Sequence, residues 1–436
     1  MTASRYIVFA FLLSSASLVA QQRLTLQQAI AMALESNYGL KIAENNEEIG
    51  KQAYDASLSG FLPKIDASGT TVNTKSDIRQ QIATNGGQTI DRKGANSTNV
   101  VGNIGLTYTI FDGLKMFATR ERTRLLNESA EISLRQEVLN TVEQVTLAYS
   151  ELVRLRQQLK ALEEIMKISE DRIKVAEAKL NVGLAPKTEL LQSKVDYNAQ
   201  RSEYQRQKAL VPAAQLQLKA TMGLPEMADV EVQEQLINDY TPSQSSIRGA
   251  LQQGNQTVLL AKNAMLVNEQ LVREYRADLL PRLDFNTNYN YTKSTSEAGI
   301  ILSNRNRGFN YGFSVNIPLF RGFAATKGLK IARLTAVNAN LEYENVLNQL
   351  SVETLRAYST YQVDRELLKM EEENVLLAKE NLDISMERFR QSQTSILELR
   401  QAQESLQQAQ SRLITIRYDT KAAELRLRNL TGDLVK

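Results

Sequence analysis

The chain repeats itself, so whatever one half folds into, the other half must be able to fold into as well. An offset of 209 residues places Phe111 on Phe320, Ala148-Tyr149-Ser150 on Ala357-Tyr358-Ser359, Glu189-Leu190 on Glu398-Leu399 and Gly223 on Gly432. Upstream the offset is 218. There Asn37 falls on Asn255, Ala43 on Ala261, and Leu62-Pro63-Lys64 on Leu280-Pro281-Arg282. The two offsets differ by nine residues, and the difference lies between Pro63 and Phe111. That interval holds SDIRQQIATNGGQTIDRKGANSTN, a polar run rich in Gly and Asn that reads as a loop. Two copies of one unit are therefore expected, at 21–237 and 247–436, joined by the linker NDYTPSQSS at 238–246.

Each unit has the same order of parts. A helix of about 30 residues ends near a Leu-Pro pair. Two strands follow, in hairpins expected at about 64–110 and 282–318, and then two much longer helical tracts. The strand signal is alternation. Leu283, Phe285, Thr287, Tyr289 and Tyr291 interleave with Asp284, Asn286, Asn288 and Asn290. Phe309, Tyr311, Phe313, Val315 and Ile317 interleave with Asn310, Gly312, Ser314 and Asn316. Val100, Gly102, Ile104, Leu106, Tyr108 and Ile110 do the same in the first copy, and 65–73 more weakly. Period two with one apolar face means a half-buried strand. Pro63 and Pro281 mark the helix-to-strand junctions, because proline has no N–H to give a helix and disfavours helix at the residue before it. Leu283 and Phe285 should then share the apolar face, with Asp284 and Asn286 on the other.

The long tracts carry a coiled-coil period. From Ala148 the series Leu152, Leu155, Leu159, Leu162, Met166, Ser169, Ile173, Ala176, Leu180 steps by three and four. In the second copy Leu399, Leu406 and Leu413 step by seven, as do Ala402, Ala409, Ile416, Ala423 and Leu430. A sustained seven-residue repeat imposes supercoiling. A tract from 321 to 390 would be roughly 105 Å long at ~1.5 Å per residue. Gly183 and Pro186 predict a stop and restart within NVGLAPKT, whereas RQSQTS at 390–395 offers neither residue for its break. Pro212 predicts a kink or interruption, and its counterpart Lys421 none.

Composition removes several function classes. The net charge of +3 gives no basic field for nucleic acid. Cysteine and histidine are both absent, which removes disulfides, thiol nucleophiles and the commonest general base. No nucleophile–base pair, phosphate loop or metal-ligand spacing stands out, so neither an enzyme nor a cofactor is expected. The first twenty residues, MTASRYIVFAFLLSSASLVA, read as a secretory signal peptide cleaved near Ala20. The alternative is an anchor, for which an apolar run of roughly 14 residues is short of the ~20 needed.

The strands admit two readings: hairpins on a soluble core, or part of a membrane barrel with lipid outside and water inside. Nothing else in the chain is apolar enough to cover these faces. Four strands cannot close a barrel, and open edges are not tolerated in lipid, so several copies must pool strands and three would give twelve.

In this order the parts resemble the TolC-type outer-membrane efflux family. The features are the opening helix LTLQQAIAMALESN (24–37), the Leu-Pro junctions, the IFDG (110–113) and LFRG (319–322) exits and the VGL turn (182–184). The resemblance covers essentially the whole chain beyond residue 20. It implies an α+β membrane protein, a homotrimer in which a long coiled-coil α-helical barrel joins a transmembrane β-barrel, each protomer giving four strands. It implies an outer-membrane location in a Gram-negative bacterium, with a large periplasmic part. It implies export of small molecules or secreted protein, with a periplasmic adaptor protein and an inner-membrane transporter as partners. It places a tunnel constriction at Glu398, Glu189, Arg400 and Gln401, and adaptor docking at Val182, Gly183, Leu184, Ser392 and Gln393. Relatives often carry a second acid where this chain has Gln192 and Gln401. Arg390 or Arg400 is expected to hold Glu398, and the plainer readings are a solvated helix charge at Glu398 and a simple helix stop at Gly183. A soluble periplasmic coiled-coil adaptor or scaffold is the alternative function.

Overall fold

The structure is a computed structural model describing residues 24–81, 87, 89–225, 231–233 and 240–434. The expected signal peptide lies outside these residues, as does part of the 238–246 linker. Element order is α1 (Leu26–Ser36), α2 (Tyr38–Ala56), a short 3-10 helix (Ser57–Phe61), β1 (Lys64–Gln81), β2 (Thr89–Phe111), α3 (Lys115–Asn181), α4 (Lys187–Met222), α5 (Gln244–Gly254), α6 (Gln256–Ala277), β3 (Arg282–Ser296), β4 (Ser303–Asn316), α7 (Ala324–Arg390) and α8 (Ile396–Thr431). The chain divides into two compact units, residues 1–41, 138–247 and 354–436, and residues 42–137 and 248–353. Each unit takes chain from both sequence halves. No helix among the described residues is long and apolar enough to cross a membrane.

Three expectations need correcting. The 30-residue helix before each Leu-Pro pair is two helices, α1–α2 and α5–α6. The breaks fall at Asn37 and Asn255, whose Oδ1 atoms accept from the N–H of Leu40 (3.1 Å) and Val258 (3.0 Å). An asparagine side chain that caps a new helix competes with continuation of the old one. Pro212 does not interrupt α4, which is helical from Lys187 to Met222 around it. The polar run at 76–99 is mostly strand: β1 reaches Gln81 and β2 starts at Thr89, so the strands are 18 and 23 residues long against the ~10 expected. Backbone pairing sustains the ladder where neither face is apolar. A bulge between Ser76 and Ile78 shifts the register, and pairing then continues from Ile78 with Arg92 to Gln81 with Thr89.

The strands form one antiparallel sheet in the order β1-β2-β3-β4, with β1 and β4 at its edges. Directly paired residues share a face. The pairing of Ile65 with Leu106, Ala67 with Ile104, Tyr108 with Phe285, Ile104 with Tyr289, Leu283 with Val315, Phe285 with Phe313 and Tyr289 with Phe309 gathers the apolar residues onto one face. The other face is polar and internally bonded. Thr107 donates to Asn286 (3.1 Å), Asn286 to Ser314 (2.9 Å), Thr109 to Asp284 (2.8 Å), and Arg282 pairs with Asp284 (2.9 Å). Gly105 lies in this face because a Cβ there would fall 2.6 Å from Asn288 Oδ1.

Both strand exits use two successive left-handed residues, Gly113-Leu114 (φ 76° and 71°) and Gly322-Phe323 (φ 60° and 64°). In the unit of residues 42–137 and 248–353 the helices follow the order of the strands. Gly50 of α2 lies against Ala130 and Asn127 of α3. The α3 residues Lys115 and Arg122 pair with Asp278, just beyond α6, at 2.8 Å and with Glu274 of α6 at 2.7 Å. Gly328 of α7 lies against the Tyr275 ring of α6.

Candidate functional site

The residues singled out from the sequence cluster at two helix turns in the other unit. At the first, α3 ends at Asn181. Gly183 takes φ 76°, and the Leu184 N–H reaches back to the Lys179 carbonyl at 2.8 Å. Pro186 then caps α4 with extended backbone. At the second, α7 ends at Arg390, Ser392 takes φ 57°, and the Gln393 N–H reaches the Arg388 carbonyl at 2.8 Å. These are the same reverse turn closing a helix, one built on glycine and the other on serine. The break expected without Gly or Pro is therefore real. Ser395 restarts the chain as N-cap of α8, its Oγ accepting from the Glu398 N–H at 3.3 Å.

Glu189 and Glu398 both fall in the first turn of their helices, α4 and α8. A carboxylate there faces the positive end of the helix and gains about 0.3–1 kcal/mol. Glu398 is exposed and bonds to the Thr394 hydroxyl. Neither expected arginine holds it within the chain: Arg400 pairs with Glu404 at 2.8 Å and Arg390 with Glu387 at 3.5 Å. The Glu404 bond raises the Arg400 pKa above its ordinary value. Gln401 is exposed beside it. Val182, Gly183, Leu184, Ser392 and Gln393 are all exposed, Val182 and Leu184 each at 70%.

Behind the turns the seam residues pack as the heptads require. Ile165, Leu382, Met386, Phe389, Leu399, Ala402 and Leu406 form one cluster from α3, α7 and α8. Lys179 lies over the Phe389 ring at 3.8 Å. Sequence reasoning missed a polar network beside this cluster. Arg172, 1% exposed, donates to Asp196 Oδ2 at 2.8 Å and to Gln403 Oε1 at 3.2 Å. Gln403 in turn donates to the Ile165 carbonyl at 3.2 Å and to the Ser169 hydroxyl at 2.5 Å. Burial pulls the Arg172 pKa down while Asp196 pulls it up. The network ties α3, α4 and α8 by directional bonds. The 209-residue offset places Asn381 and Ser405 opposite Arg172 and Asp196, so comparing the halves gives no signal for it.

At the helix-to-strand junctions both prolines stand between elements. Pro63 lies between the 3-10 helix and β1, and Pro281 between α6 and β3. Leu283 and Phe285 share the apolar face, and Asp284 and Asn286 the polar one.

A family model described as outer membrane efflux protein matches residues 29–224 and 248–433. Among solved structures, the outer membrane protein VceC from Vibrio cholerae aligns with a TM-score of 0.79 and 18% identity, covering 93% of this chain and 96% of that one. The Campylobacter jejuni CmeC outer membrane channel aligns at 0.78 and 18%, covering 94% and 85%. The open state of the Neisseria gonorrhoeae MtrE outer membrane channel aligns at 0.73 and 16%, covering 94% and 89%. No curated protein sequence matches significantly.

Proposed function

The chain belongs to the outer membrane efflux protein family, and from that premise we propose that three copies form one conduit that carries small molecules or secreted protein out of the cell. It is an outer-membrane efflux protein, of a family of channels rather than enzymes, and nothing found supports a soluble adaptor. The observation that carries the proposal is the four-stranded sheet with one apolar face and two open edges. Lipid solvates the apolar face but cannot satisfy the edge N–H and C=O groups, so strands from other copies must. Three copies give a twelve-stranded barrel with the polar ladder of Thr107, Asn286 and Ser314 facing water.

In this reading the sequence halves 21–237 and 247–436, linked through 238–246, are pseudo-equivalent. The long helices make a periplasmic coiled-coil tunnel. Val182, Gly183, Leu184, Ser392 and Gln393 dock a periplasmic adaptor, which joins the conduit to an inner-membrane transporter. Glu398 and Glu189, with Arg400 and Gln401 beside them, line a constriction where like charges from three copies converge.

The test is extraction, size and conductance. Release from membranes only with detergent, a trimer by light scattering and discrete channels in planar bilayers are expected. A monomer released by salt would overturn the proposal. In the same recordings Glu398→Ala should weaken cation block of the closed channel, and an unchanged block would remove Glu398 from the constriction.

A further inference from the structure

We propose that Lys293, Arg305 and Arg307 form a binding site, on the apolar face of the sheet, for the phosphate groups of the glycolipid in the outer leaflet. The proposal rests on the membrane barrel proposed above and adds which lipid chemistry the sheet recognises, and at which residues.

β3 and β4 hold five charged residues. Arg282 and Asp284 lie at the helix-side end on the polar face, where they pair with each other at 2.9 Å. The other three, Lys293, Arg305 and Arg307, lie at the far end and are all cations. Side chains on a strand alternate between faces. The ladder pairs Lys293 with Arg305 and Tyr291 with Arg307, in step with Leu283–Val315 and Phe285–Phe313. The three cations therefore share the apolar face. At the same level the polar face is uncharged, with Thr292 opposite Asn306 and Ser294 opposite Asn304. Cations serving solubility alone would belong on the face that meets water.

The apolar face is graded along the strands. Leu283, Phe285, Phe313 and Val315 stand nearest the helices, Tyr289, Tyr291 and Tyr311 follow, and the cations come last. Tyrosine marks the boundary between membrane and water. Leu283 to Tyr291 is a run of nine residues, and a tilted barrel strand crosses the hydrocarbon in about 9–11. Lys293 thus comes just past the hydrocarbon, at the depth of the headgroups. It does so on the side of the membrane away from the helices, which with periplasmic helices is the outer leaflet.

Two observations show that the cluster lacks an anion. Lys293 and Arg305 are direct cross-strand neighbours, with Cβ atoms about 5 Å apart, an arrangement in which like charges repel. Among the described residues no carboxylate pairs with any of the three cations, and the Arg307 guanidinium lies 5.7 Å from the centre of the Tyr291 ring. The first hairpin gives the contrast. The offsets set Lys75–Asn96 on Lys293–Arg305 and Asn73–Thr98 on Tyr291–Arg307. One cation stands there in place of three. A carboxylate of the chain is also at hand, since Glu297 accepts from the Asn96 N–H at 3.0 Å and from its side chain at 3.1 Å. The second hairpin has the charges without that carboxylate. Clustered basic side chains at a membrane boundary attract anionic headgroups, and the arginine fork fits two phosphate oxygens at once. The outer leaflet of a Gram-negative bacterium offers phosphate at this depth, on the sugars of its glycolipid.

Native mass spectrometry of the detergent-purified full-length protein tests this by titration with lipid A, the phosphorylated glycolipid anchor. Binding of the bis-phosphorylated form should be about tenfold tighter than that of the dephosphorylated form, as charge-assisted bonds to phosphate require. Lys293→Gln with Arg305→Gln and Arg307→Gln should abolish the preference. Arg305→Lys with Arg307→Lys keeps the charge and should keep most of it. Lys75→Gln should leave it unchanged, and an equal loss there would reduce the site to diffuse charge. Inorganic phosphate should not displace the lipid, and displacement would make this a site for a free anion. If the triple variant forms no channels, Lys293→Gln and Arg307→Gln decide singly, each expected to weaken binding severalfold. A channel-forming variant that binds phosphorylated lipid A like the wild type overturns this site alone. A protein that salt releases from membranes overturns the barrel, and the site with it.

Discussion

Gly183 and Ser392 hold the same left-handed backbone in corresponding turns, and they differ in what that costs. A left-handed conformation costs a residue with a Cβ on the order of 1 kcal/mol or more, and glycine almost nothing. At Gly183 a Cβ would meet nothing within 4 Å, so the cost of Gly183→Ala is backbone conformation rather than a clash. We expect the Leu184 amide, bonded to the Lys179 carbonyl, to exchange its hydrogen several-fold faster in Gly183→Ala, about 1 kcal/mol of lost protection. Ser392→Gly should slow exchange at Gln393 by a smaller factor, because glycine also loosens the unfolded chain. Equal exchange in all variants would mean that the turns are held by contacts beyond the chain. The first turn was legible because Gly183 and Pro186 are specific signals. The second was legible only through its counterpart, since serine has no preference for the conformation it takes there. Arg172 was not legible at all: a charged residue one heptad on from Ile165 reads as a solvated position, and its partners Asp196 and Gln403 come from other helices.

Elements were more legible than their ends. Alternation in 283–291 and 309–317 found β3 and β4 but missed their far ends, 292–296 and 303–308, because side chains on a strand must alternate between faces only where the faces differ. The same reasoning cut β1 and β2 short, because alternation reports a difference between faces, and beyond residue 76 both faces are polar. The long helices followed from the heptads, and Leu399, Leu406, Leu413, Ala402 and Ala409 are all buried in α8. Pro212 shows the limit of a local rule, since a helix held along its length tolerates one missing hydrogen bond. The two-faced sheet gives the prediction at this scale. Ile104 is on the apolar face, paired with Ala67 and Tyr289, and Asn310 is on the polar face, paired with Asn288. Ile104→Arg should destabilise the folded protein in lipid by about 2–4 kcal/mol, as for a charge on the lipid side of a barrel near its midplane. Asn310→Arg should be near neutral. Heat dissociation of the purified oligomer in vesicles measures both, and equal losses would contradict the assignment of faces.

At the scale of the whole molecule the question is how one chain separates conduction from assembly with other proteins. The sheet residues proposed to meet lipid and the turn residues proposed to meet an adaptor belong to different compact units, so each should be separable by mutation. The turns carry a chemical reason to bind: Val182, Leu184 and Leu397 are exposed apolar side chains close to the ends of α3 and α8. Exposed apolar groups gathered at helix ends gain on the order of 25 cal/mol per Å² when a partner covers them, and a carboxylate in their place forfeits that gain and must be desolvated. Leu184→Asp touches neither the sheet nor the buried cluster of Ile165, Phe389 and Leu399. It should therefore leave trimer size and single-channel conductance unchanged while lowering export from cells by tenfold or more. Leu184→Met, which keeps apolar area at similar volume, should retain export. Lost conductance in Leu184→Asp would place the turn in the conducting path, and unchanged export would remove it from the docking surface.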